Sequence, residues 1–85
     1  MDYDALINQC KDAIELLPNG YVFLLKDLFI GTYWKNLDKG VRLELGRRFK
    51  LCVNRKEIPN TVYIGRADNN SAQYKKAPDE TEYKR

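Results

Sequence analysis

Eighty-five residues, 44% of them hydrophobic and 12% aromatic, make one folded domain: too short for two cores, too apolar for a disordered chain. No apolar run approaches the roughly 20 residues that cross a bilayer. The acidic start Met1-Asp2-Tyr3-Asp4 is unlike the basic head of a secretory signal, so a cytoplasmic setting with no membrane partner is expected. Net charge is +3 but uneven: residues 1–37 carry three Lys against five acids, residues 38–76 ten Lys/Arg against four acids, and residues 77–85 two against three. A basic middle between mildly acidic ends points to an anionic partner; a merely solvated surface is the plain alternative.

Residues 3–17 repeat Tyr3, Leu6, Ile7, Cys10, Ala13, Ile14 and Leu17 at helical spacing, which predicts an amphipathic helix capped by Asp2 or Asp4. Pro18-Asn19-Gly20 ends it. Residues 21–25, YVFLL, form a short β-prone run, and KDLFI at 26–30 reads as a brief helix stopped at Gly31. In GTYWKNL, residues 31–37, Trp34 is expected to plug the core between two helices.

Asp38 is a good N-cap for a long helix with Val41, Leu45, Phe49, Cys52 and Val53 on one face. Leu43, Arg47, Lys50 and Asn54 fall on the opposite side at 100° per residue. Gly46 in mid-helix costs about 1 kcal/mol against Ala, which suggests close packing by a neighbour. Pro59 ends the helical stretch. Residues 61–67 and 72–76 are β-rich around the tip Asp68-Asn69-Asn70-Ser71, the composition of a hairpin turn. The domain is expected over residues 1–77, with 78–85 as a C-terminal tail.

The cysteines, Cys10 and Cys52, each fall on an apolar helix face, as buried free thiols do. A disulfide or metal site is the sharper alternative, but there is no CxxC and no histidine to complete a zinc shell. One serine, no histidine and no glycine-rich phosphate loop argue against an enzyme. No cofactor is expected.

The order of elements, α+β with three helices, a short strand and a C-terminal hairpin, is that of a winged helix-turn-helix. The helix pair would be 26–30 and the long helix, although the elbow between them is longer than the usual 3–4 residues. In that architecture the second helix enters the major groove and the wing follows the backbone or minor groove. Arg47, Lys50 and Asn54 have suitable types for base edges or phosphates, and Lys39 and Arg42 for backbone contacts. On the hairpin, Arg66, Asn69, Asn70, Lys75 and Lys76 suit phosphates or a narrow minor groove. Solubilising charges and ordinary turn formers are the plain readings of these residues.

Three stretches carry a resemblance: Phe-x-Leu-x-Asp-Leu at 23–28, Leu-Gly-Arg-x-Phe at 45–49 with Trp34 before it, and NSAQYKK at 70–76. From Phe23 through Tyr74 the chain resembles a family of small proteins of unknown function from Gram-positive bacteria and their phages and mobile elements. The resemblance implies a winged-helix-like fold and a setting in regulation or genome maintenance. It implies no catalytic residues and leaves the N-terminal helix outside the matched region. The leading expectation is a small DNA-binding transcriptional regulator acting on duplex DNA as a homodimer. The alternative is a phage or mobile-element module that binds a host protein, favoured by Leu43 and Leu51 on the outward side of the long helix.

Overall fold

Asp2 opens the first helix as its N-cap, its carboxylate accepting the Ala5 N–H at 3.1 Å. Helix α1 runs Tyr3–Glu15 and buries Leu6, Ile7, Cys10 and Ile14. It stops two residues short of Leu17, which leaves the helix but still packs against the core. The computed structural model describes residues 2–68 and 71–77. The expected tail at 78–85 lies outside the described residues.

Strand β1 (Val22–Leu24) leads into a 3-10 turn, Leu25–Leu28, followed by α2 (Gly31–Asn36), α3 (Lys39–Asn54), β2 (Thr61–Arg66) and β3 (Ala72–Lys76). The fold is α+β: the described residues form three α-helices and one antiparallel sheet of order β1-β3-β2. The short strand therefore pairs with the hairpin, through Phe23 opposite Tyr74.

The brief helix expected at 26–30 is displaced. Only the 3-10 turn forms there, and Gly31, read as a stop, is the first residue of α2. The cause is aromatic packing: Phe29 stacks on Tyr33 at 5.9 Å and on Trp34 at 5.5 Å. Such pairs contribute beyond their buried area, and a glycine at the first helical position bears little of the interior penalty. The long elbow thus contains a helix, and only Leu37 and Asp38 separate α2 from α3. Asp38 is the N-cap residue of α3, but its side chain makes no capping hydrogen bond.

The core gathers around Tyr74, 1% exposed, which meets Phe49 edge-on at 4.9 Å, Phe23 at 6.0 Å and Tyr63 at 5.7 Å. Leu45, Phe49 and Val53 form the buried stripe of α3, while Cys52 packs half-buried against it. Trp34, expected to plug the core, instead packs only half-buried against it. In β2 the pairing slips between Tyr63 and Gly65, leaving a bulge at Ile64. Gly65 sits at φ +117°, a conformation that L side chains rarely adopt, so glycine is required there.

Helix α3 ends in a Schellman arrangement. Lys56 lies at φ 63°, its N–H donates to the Val53 carbonyl at 3.0 Å, and the Glu57 N–H reaches the Cys52 carbonyl at 2.9 Å. Among the described residues no helix is long and apolar enough to cross a membrane.

Candidate functional site

Helix α3, the 3-10 turn, Trp34 of α2 and the tip end of the hairpin leave a cleft of about 550 Å³ between them. Its charged lining is Lys26, Arg42, Arg47, Lys50 and Arg66, and none of the described lining residues is Asp or Glu. Apolar wall comes from Leu24, Leu25, Trp34, Leu43 and Tyr74. One turn of helix separates Arg42 and Leu43 from Gly46 and Arg47, so α3 presents them as successive steps along one side.

Each cation is held differently. Arg47 is 72% exposed and grips the Glu44 carboxylate through Nε and Nη2, the shortest contact being 2.8 Å. Arg48, from the next position on the helix, reaches the same carboxylate at 2.6 Å and lays its guanidinium over the Tyr3 ring. Hydrogen bonds from Arg47 and then Arg48 hold the Glu44 carboxyl below its usual range. Lys50 does not splay outward as its helical position suggests. It is half-buried, with Nζ 4.4 Å from the centroid of the Tyr63 ring, because the hairpin lies alongside α3 and offers that ring to the ammonium. Arg42 is half-buried, and its Nε is shielded from solvent with no hydrogen-bond acceptor.

Of the ten residues singled out from the sequence, four meet in this cleft: Arg42, Arg47, Lys50 and Arg66. Lys39 is exposed at the start of α3 and lines neither cleft. Asn54, at the other end of α3, lines a separate depression of about 360 Å³ with Pro59, Asn60 and Tyr63. Lys75 stands opposite Val62 and Val22, on the sheet face away from Tyr74. Asn69 and Asn70 lie outside the described residues.

Lys76 is a correction. The sequence places it on an outward-facing basic arm, but it is 7% exposed, and its ammonium donates to the carbonyls of Glu15 at 3.0 Å and Leu17 at 2.8 Å. It closes the C-terminal end of α1, where free carbonyls and the helix dipole favour a cation, and it is not available to phosphate.

Lys26 is the cleft cation that sequence reasoning missed. In the sequence it stands beside Asp27 as an ordinary charged neighbour; only the fold, in which Asp27 accepts the Leu24 N–H at 2.9 Å, brings Lys26 to the cleft. Gly46 is also recast. A Cβ there meets only Leu25 Cδ2, at 3.9 Å, so the glycine opens the cleft wall without being demanded by close packing. Both cysteines are free; Cys10 is buried, and burial pushes its thiol up to about 12. Among the described residues no cluster of three His, Cys, Asp or Glu is placed to hold a metal ion.

A family model described as a domain of unknown function, DUF1413, matches residues 8–76. The match begins inside α1, further toward the N-terminus than the resemblance seen from residue 23 onward. No curated protein and no solved structure matches the chain.

Proposed function

The chain belongs to the DUF1413 family, and we propose that it is a nucleic-acid-binding domain of winged-helix type, with duplex DNA as its partner and transcriptional regulation in a phage or mobile element as its role. The observation that carries the reading is the cleft rim: Lys26, Arg42, Arg47, Lys50 and Arg66 from three elements, with no carboxylate among the described lining residues. Two further features support it. The sheet order β1-β3-β2 and the two-residue link between α2 and α3 suit a helix pair followed by a wing. Arg47, 72% exposed, is free to exchange Glu44 for a phosphate at little cost, because surface pairs contribute little. A single module of this size buries only about 600–1,000 Å² on DNA, which favours a homodimer for useful specificity.

Fluorescence anisotropy with random-sequence duplex at about 50 and 200 mM salt tests this, since affinity falls with a log–log slope of about −0.9 per neutralised phosphate. A slope near −3 or steeper, reduced in the Arg47→Ala/Lys50→Ala double variant, is the expected result. Absence of binding at the lower salt would sink the proposal.

A host-protein partner is the second reading, favoured by Leu43 at 65% and Leu51 at 44% exposure on α3, since groove-facing surfaces are usually more polar. Stoichiometric capture of one host protein, lost in Leu43→Ser/Leu51→Ser and unaffected by nuclease, would select it.

A further inference from the structure

Contacts to phosphate need cations at the rim of a groove; they do not need an apolar interior beneath them. Here the interior is apolar. Trp34, Leu24, Leu25 and Leu43 wall a space of about 550 Å³, within the 300–1,000 Å³ common for small-molecule sites, where apolar walls and a few polar groups fix the ligand. Gly46 adds bare helix backbone to that wall, with nothing nearer than 3.9 Å to the place a Cβ would occupy.

Arg42 is the second, independent sign. Its Nε is shielded from solvent and has no acceptor. Most buried side-chain polar atoms have a hydrogen-bond partner, and a guanidinium nitrogen without one in the protein is a ready donor to an anion. Turning this group toward an anion in the cleft breaks no hydrogen bond at Nε.

We infer that this cleft binds a small organic anion, a carboxylate or phosphate carried on an apolar or aromatic body, with the headgroup on Arg42 and its neighbouring cations and the body against Trp34 and the leucines. This goes beyond nucleic-acid binding and does not depend on it. Arg47, Lys50 and Arg66 belong to the same cleft, so an occupied cleft and a bound nucleic acid compete for the same cations.

The full chain is titrated, without nucleic acid, with decanoate, 1-naphthyl phosphate, neutral 1-naphthol and inorganic phosphate, following backbone amide shifts of Leu25, Gly46 and Ala72. Saturable binding of decanoate or 1-naphthyl phosphate below ~1 mM is expected, about tenfold tighter than 1-naphthol or inorganic phosphate. Decanoate and 1-naphthyl phosphate separate a carboxylate from a phosphate preference. Arg42→Gln is expected to weaken the preferred anion about fivefold or more, and Gly46→Leu, which fills the space, to abolish its binding. Equal binding of 1-naphthol or of inorganic phosphate, no saturation by ~1 mM, or full affinity in Arg42→Gln overturns the inference. Arg42→Gln alone decides if Gly46→Leu loses its native amide dispersion.

Discussion

The ammonium of Lys76, in the last strand, donates to the carbonyl of Leu17 at 2.8 Å and to that of Glu15 at 3.0 Å. One side chain thereby fastens the end of the sheet to the end of α1, across 59 residues of sequence. The strand backbone reinforces the same junction, with Gly20 N–H donating to the Lys76 carbonyl and Lys76 N–H to that of Tyr21.

Lys76→Met keeps the aliphatic stem and removes the donor, leaving two helix-end carbonyls without it. Hydrogen bonds to charged groups contribute about 1.5–3 kcal/mol, so a loss of about 2 kcal/mol is expected by urea denaturation. A neutral result would show that water replaces the ammonium freely at this end of α1.

Lys56→Gly is expected to stabilise. Lys56 occupies the left-handed position after α3 at φ 63°, which costs a side-chain-bearing residue roughly 1–2 kcal/mol, partly offset by the greater unfolded-state freedom of glycine. A net gain of about 0.5–1 kcal/mol in thermal or chemical unfolding is the outcome expected.

Gly46→Ala tests the glycine in the middle of α3. Since the new Cβ meets only Leu25 Cδ2 at ordinary contact distance, 3.9 Å, the helix-propensity gain of about 1 kcal/mol should appear in full. Destabilisation would mean that Leu25 packs more tightly on α3 than its distance implies.

Alkaline pH should weaken the fold. Burial pushes Cys10 from 9.0, and Tyr74 from 10.0, up to about 12. The folded chain then holds these protons more firmly than the unfolded one. Stability is therefore full below about pH 9 and is lost progressively as pH rises toward 12, by up to about 1.4 kcal/mol per pH unit for each proton. Urea midpoints at pH 8, 9.5 and 10.5 measure this. Cys10→Ala should flatten the slope between 9 and 10, leaving a remnant from Cys52, whose thiol is also raised, chiefly by burial.

Glu44→Gln tests the nucleic-acid proposal from its acidic side. Glu44 holds both Arg47 and Arg48, and removing its charge frees two guanidinium groups near the cleft. Duplex affinity at about 50 mM salt is expected to rise several-fold with a steeper salt slope; a fall in affinity would mean that Glu44 positions Arg47 for binding.

Several elements were legible in the residues alone. The apolar stripe of α1, the stripe Leu45-Phe49-Val53 in α3 and the alternation of the hairpin each report a buried face by period, because side-chain direction repeats every 3.6 residues in a helix and every two in a strand. Cys10 as a buried thiol follows from the same pattern. Even the burial of Lys76 had a signal: it stands two residues after Tyr74, on the same strand face, and parity outweighs charge when a carbonyl pair waits beneath.

Tertiary structure alone decided the rest. Periodicity says which face is apolar, but not what lies across from it. Helix α2 exists because Phe29 folds back onto Tyr33 and Trp34, contacts that local propensity around Gly31 does not encode. Lys50 leans on Tyr63 because the hairpin returns beside α3. Lys26, Arg42, Arg47, Lys50 and Arg66 become one cationic cleft only when segments far apart in sequence are packed together, since an electrostatic site depends on distance through space and not on order along the chain.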